Sequence, residues 1–234
     1  METGILYIVA TPIGNLGDIT YRAVETLQKV DLIVCEDTRT SRKLFDRYLI
    51  KTLTTSFYQI QREGGSKKPV PKLDYLTAEL ASGKNIALIT DAGTPGISDP
   101  GNQLVARAVE NSIAVIPISG ASALTTLASV SGIDLSRFVF LGFPPHKKGR
   151  ETFFKEVVAQ KYPVSYFESP HRLIKNLELL NSLAPETRII LGRELTKMFE
   201  EIVRGTTEEV LNYFLENPGK VKGEFVIIAH NGND

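Results

Sequence analysis

The sequence predicts an α/β protein of two α/β halves with mainly parallel sheets. Two observations carry this. Short apolar runs alternate with segments of helical periodicity almost from end to end. The strands outnumber what one small sheet holds, so the chain divides near Pro117 to Ile133, giving halves of residues 1–118 and 119–234. A length of 234 residues suits one large domain or two small ones at about 150 residues each.

The elements follow in order. Leu6–Ala10 is an apolar run ending at Thr11-Pro12, which reads as a strand buried on both faces. Asp18 to Lys29 places Ile19, Ala23, Val24 and Leu27 at helical spacing, with Asp18 or Thr20 as cap. Leu32–Cys35 is a strand, Thr38 to Tyr48 a helix, and Leu53 to Tyr58 extended. Arg62 to Pro71, with Gly64-Gly65 and two prolines, is a loop. A helix from Leu73 to Ser82 stops at Gly83, and Ile86–Thr90 is a strand. Asp91 to Gly101 holds three glycines and two prolines and is irregular. Helix, strand and helix continue to Val130. Strands follow at Phe138–Leu141, Val164–Phe167, Arg188–Leu191, Glu201–Val203 and Phe225–Ala229. They are interleaved with helices over Arg150–Gln160, Leu173–Leu183 and Thr207–Leu215.

Composition excludes several classes. Lys+Arg and Asp+Glu are both 27, so bulk charge does not coat nucleic acid and any contact must be local. The single cysteine, Cys35, excludes a disulfide framework. His146, His171 and His230 lie too far apart for a structural zinc site. The N-terminus has no basic stretch leading into a long apolar one, so no signal peptide is expected. Asn111 to Ile133 is uncharged, but Pro117, Gly120, Gly132 and five serines fit a strand, turn and helix better than a membrane span. The expected state is soluble and cytoplasmic.

Four turns follow predicted strands, where open α/β sheets bind ligands. Thr11–Asp18 lacks a dinucleotide or Walker fingerprint and on its residues alone is an ordinary βα turn. Asp91–Gly101 is too rich in Gly and Pro to be explained by packing. Its carboxylate at the strand end suits an ammonium or ribose hydroxyls. Pro117–Ala123 fits a flat ligand and close helix–sheet packing equally. Cys35–Ser41 clusters ionisable residues, and the following helix sets Arg39, Arg42, Lys43 and Arg47 on one face. Residues 38–51 hold five basic residues against one acid, which is either a solvated face or a phosphate contact. Further basic stretches are Arg62, Lys67, Lys68 and Lys72 after Tyr58. Another is Arg137, His146, Lys147, Lys148 and Arg150 around Phe138, Phe140 and Phe143. Phenylalanines in strands are more often core than stacking surface. Residues 181–234 carry nine acids against six bases, so charge is polarised along the chain.

Taken together, these motifs resemble the tetrapyrrole methylase superfamily of S-adenosylmethionine-dependent methyltransferases. They resemble most closely its ribosomal RNA small subunit methyltransferase I family. The resemblance is carried by Val9–Asp18, Glu36–Arg39, Asp91–Gly101, Ser119–Ala123, Phe167–Arg172, Gly192–Lys197 and Gly223-Glu224. It implies 2′-O-methylation of a decoding-region cytidine in 16S rRNA. It also implies a donor folded in the cleft between two domains, and a homodimer without metal or membrane. The implied cofactor positions are Pro12, Asp91, Ala92, Gly93, Ile97, Ser122, Ala123, Phe167 and Gly223. Catalytic candidates are Glu36 and Asp37 as base, Arg39 on phosphate or oxyanion, and His171 as a second base. Alternatively, Glu36, Asp37 and Arg39 form a capping and ion-pair cluster. RNA-contact candidates are Arg42, Lys43, Arg47, Lys67, Lys68, Lys147 and Lys148. The first loop lacks the Gly-x-Gly-Pro-Gly-Asp form of the porphyrin enzymes. Many rRNA relatives continue beyond the point where this chain stops; if that further segment grips the ribosome, RNA affinity here rests on the basic loops alone. Two alternatives stand beside this reading: a porphyrin or corrinoid methyltransferase, and a non-catalytic RNA- or nucleotide-binding module.

Overall fold

The computed structural model describes residues 2–57, 71–99 and 101–231. The chain forms two compact units, Met1–Ser122 and Ala123–Asp234.

In the first unit, strands β1 (Ile5–Val9), β2 (Leu32–Cys35), β3 (Thr54–Ser56), β4 (Ile86–Ile89) and β5 (Ala114–Ile118) form one sheet in the order β3-β2-β4-β1-β5. All four pairings are parallel. Helices α1 (Tyr21–Lys29) and α2 (Thr38–Arg47) cover one face, and α3 (Pro71–Ala81) and α4 (Asn102–Glu110) the other. Side chains alternate across a strand. Val9 therefore packs with Ala23, Leu27, Leu44 and Phe45, while Leu6 packs with Leu76, Leu80 and Leu104. This two-faced burial explains why β1 and β4 read as continuous apolar runs rather than alternating ones.

Several boundaries differ from the sequence expectation. Thr20, not Asp18, caps α1, accepting from Ala23 N at 3.1 Å; Asp18 instead ends a short 3₁₀ turn, Leu16–Asp18. Pro71 opens α3 rather than closing a loop, since its missing N–H falls where the first turn has no partner for one. The irregular stretch ends as expected at Gly101, which precedes α4. Tyr58, Arg62, Lys67 and Lys68 lie outside the described residues, as does Pro100.

The second unit contains α5 (Ala123–Ser129), β6 (Val139–Phe140), α6 (Arg150–Ala159), β7 (Val164–Glu168), α7 (Leu173–Leu183), β8 (Arg188–Arg193), β9 (Glu201–Thr206), α8 (Thr207–Glu216) and β10 (Phe225–His230). Its sheet order is β6-β7-β10-β8-β9. Over the whole chain, described parallel pairings outnumber antiparallel ones. In this sheet, however, only β6–β7 is parallel, while β7–β10, β10–β8 and β8–β9 are antiparallel. The expectation of a mainly parallel second sheet is corrected accordingly. For β8–β9 the physical reason is the link from Arg193 to Glu201, which is too short to carry a crossover helix, so β9 returns as a hairpin. Phe225, Ile227 and Ala229 pack with Phe154, Leu177 and Phe214 on the helical face. The uncharged stretch at 111–133 resolves into β5 and α5, and no described helix is long and apolar enough to cross a membrane.

Phe154 is fully buried and meets Phe153 and Tyr166 edge-on. Phe154→Ala should destabilise the protein by about 3–5 kcal/mol. Urea denaturation checks this, and a loss well under 1 kcal/mol would contradict the assigned core.

Candidate functional site

The connections of the first sheet leave β1 and β4 in opposite directions along the sheet. The carboxyl ends of these neighbouring strands therefore form its switch point. There the two loops bind each other. Thr11 N donates to Gly93 O at 2.9 Å and Gly93 N to Thr11 O at 3.0 Å. The Thr11 hydroxyl also donates to Thr90 O at 3.1 Å, and the Thr94 hydroxyl to Ala121 O at 3.1 Å. Gly93 has φ +81°, a backbone region that glycine enters without steric cost.

Acidic groups gather beside this bridge. Asp91 N donates to the Glu36 carboxylate at 3.3 Å, and the Asp91 carboxylate accepts from Asp37 N at 3.1 Å. Burial raises the Glu36 carboxyl above its ordinary range, against the hydrogen bond from Asp91, and burial likewise raises Asp91. Burial pushes Asp99 up to about 6, with the Glu36 charge adding to it. Asp37 is the opposite case. It caps α2, accepting from Arg39 N at 2.8 Å, and pairs with the Arg39 guanidinium at 2.6 Å. These bonds hold its carboxyl near about 2. Asp37 is thus a poor proton acceptor, which favours the capping and ion-pair reading for Asp37 and Arg39. Burial raises the Cys35 thiol to about 11, so it is a neutral core group and no nucleophile.

Of the residues singled out in the sequence, Asp91, Ala92, Gly93 and Ile97 lie on the β4 loop, and Pro12 is buried in the β1 loop. Ser122 closes the β5 turn, while Ala123 begins α5 in the second unit. Arg42, Lys43 and Arg47 are exposed on α2, with Arg42 3.7 Å from Asp46. Lys147 and Lys148 are exposed on the β6–α6 loop of the second unit, and His171 is exposed in the turn before α7. Phe167 packs at 5.1 Å from Phe140 and 5.3 Å from Phe143. Gly223 has a structural duty: a Cβ there would lie 2.4 Å from the Glu194 carboxyl. The Glu194 carboxyl accepts from Glu224 N and from Lys197, both at 2.9 Å. Sequence reasoning missed Thr11, Thr94 and Asp99. The only signal for Asp99 was its place in the Gly/Pro-rich loop. Among the described residues, no group of three or more His, Cys, Asp or Glu has the geometry to hold a metal ion.

A parallel sheet with a glycine-bearing loop and acids at its switch point has the arrangement at which open α/β folds bind their ligands. Solved structures with this fold include cobalt precorrin-4 methyltransferase, a cobalamin biosynthetic enzyme. It matches with a TM-score of 0.69 and 16% identity, covering 97% of this chain and 94% of that one. A diphthine synthase matches with a TM-score of 0.72 and 11% identity, covering 99% and 92%. At the sequence level, the family described as Tetrapyrrole (Corrin/Porphyrin) Methylases matches residues 5–211. A ribosomal RNA small subunit methyltransferase I of Leptospira biflexa is 43% identical, covering 98% of this chain and 92% of the relative. One from Synechocystis is 46% identical, covering 96% and 78%. The chain belongs to the tetrapyrrole methylases and, within them, to the ribosomal RNA small subunit methyltransferase I family. It is an S-adenosylmethionine-dependent methyltransferase.

The residues present fit that cofactor. Burial raises Glu36, Asp91 and Asp99, with the charges of Asp91 and Asp37 adding to it at Glu36, of Asp37 at Asp91, and of Glu36 and Asp91 at Asp99. The sulfonium and ammonium of that cofactor would offset this clustered negative charge.

The native state holds the Asp99 proton up to about pH 6, whereas the unfolded chain releases it near 3.8. Stability from this neutral acid is complete below the lower value and is lost as pH rises through the upper one. Asp99→Asn stays neutral throughout. Its melting temperature should therefore gain on wild type as pH rises from about 4 to about 7. A difference that stays flat across this range would contradict the assignment.

Proposed function

We propose that the protein methylates the ribose 2′-oxygen of a cytidine in small-subunit rRNA, using the switch-point loops of the first unit to hold the donor. The carrying observation is the juxtaposition of raised carboxyls at Glu36, Asp91 and Asp99 with the basic face of α2, which starts two residues after Glu36. When bound, S-adenosylmethionine supplies an electrophilic methyl on a leaving group that departs as a neutral thioether. The task of the chain is therefore alignment. The loop at Asp91, Ala92, Gly93 and Ile97, with Pro12 and Ser122, binds and orients the donor. Ala123, Phe167 and Gly223 are donor contacts proposed from the family pattern.

Glu36 is the favoured acceptor for the ribose hydroxyl proton, because its raised carboxyl is more basic than that of Asp37. Asp37 and Arg39 hold the start of α2 in place. Arg42, Lys43 and Arg47, with Lys147 and Lys148, attract the RNA backbone. His171 is the second candidate base, and His171→Ala tests it separately. The homodimer and the cytoplasmic location are proposals of the same kind.

The defining experiment is radiolabelled methyl transfer to purified small subunits, followed by nuclease mapping of the modified ribose. Label on uroporphyrinogen and none on subunits would establish the porphyrin alternative. Glu36→Gln should slow single-turnover transfer by about 100-fold or more while subunit binding persists. Joint replacement of Arg42, Lys43 and Arg47 by Ala should reduce the salt slope of RNA binding by roughly 2, at about 0.7 per phosphate contact. An unchanged slope would remove α2 from the interface.

A further inference from the structure

We infer that Phe143, presented by the loop between β6 and α6, is a stacking platform for an unpaired base of the RNA. Phe143 is 50% exposed, while the loop that carries it is fastened on both sides. On one side, Gly142 O accepts from Phe167 N at 2.9 Å. On the other, the Arg172 guanidinium donates to Pro144 O at 2.6 Å. Arg172 lies 3.6 Å from the buried Glu168 carboxylate, which also accepts from Ser169 N at 2.6 Å and from the Asn176 amide. Phe167 meets Phe143 at 5.3 Å and a tilt of 50°, bracing the ring from within the unit.

An apolar ring on a loose loop would fold down and shed its exposed area; this one is braced where it stands. A half-exposed phenylalanine loses contact with water by stacking, and every nucleobase has a face to offer it. The charge around it selects the partner. Lys147 and Lys148 follow on the same exposed loop, where cations suit the phosphates flanking a stacked base. Lysine is depleted at the cores of protein–protein interfaces, which argues against a protein occupant.

The inference rests on the rRNA reading above, and the experiment separates the two. Wild type, Phe143→Ala and Phe143→Trp are compared in three measurements. These are fluorescence anisotropy with a single-stranded pyrimidine oligoribonucleotide, methyl transfer over a range of small-subunit concentrations, and S-adenosylhomocysteine calorimetry. Phe143→Ala should weaken oligonucleotide binding about tenfold and raise the KM for subunits to a similar extent. Its melting temperature and S-adenosylhomocysteine affinity should match wild type. Phe143→Trp should restore both losses. Equal oligonucleotide affinity in wild type and Phe143→Ala overturns the inference whether or not transfer is seen. So does a loss of S-adenosylhomocysteine affinity, which would assign the ring to the donor, or a change of oligomeric state, which would assign it to a second copy. Failure of the wild type to methylate subunits overturns the functional reading alone.

Discussion

The backbone pair between Thr11 and Gly93 is the constraint on which the candidate site depends. Two neighbouring parallel strands end side by side, and their connections leave in opposite directions. Backbone N–H and C=O groups in such a gap need partners. The two loops supply them to each other. Thr11 then ties back to Thr90, and Thr94 reaches Ala121, so the β1, β4 and β5 turns become one connected rim. A loop that would otherwise be mobile is held as part of the sheet, and the carboxyl groups it carries are held with it.

That rim sets the electrostatics. Glu36, Asp91 and Asp99 are drawn into partial burial, which raises each of them, and neighbouring carboxylates, Asp37 among them, raise them further. Asp37 shows the contrast within one turn of chain. Its neighbour Arg39 and the start of α2 satisfy it so fully that it is low, structural and chemically quiet. Adjacent carboxylates in one motif thus receive different duties from their surroundings.

The second unit uses its motif residues chiefly for order. Glu168 and Arg172 fasten the loop that carries Phe143, and Arg193 reaches Lys222 O and Phe199 O at 3.1 Å. Glu194, Lys197 and Glu224 lock the turn that Gly223 passes closely. Residues that resemblance marks as signatures are here the fasteners of exposed loops, whose tips are left to make contacts.

The sequence by itself determined the succession of strands and helices. Hydrophobic periodicity, Gly83 as a stop and the apolar runs at β1, β2 and β4 are local properties of the chain. It also determined that Asp91–Gly101 is irregular and that α2 presents a basic face. Only the tertiary structure decided that the second sheet is mixed, because a strand covered on both faces has the same apolar pattern in either direction. It alone decided that Thr11, Thr94 and Asp99 belong to the rim and that Asp37 is spent on a cap. The rim depends on partners distant in sequence, as with Thr11 and Thr90 at a separation of 79 and Thr94 and Ala121 at 27, and burial and charge coupling arise only when such segments meet.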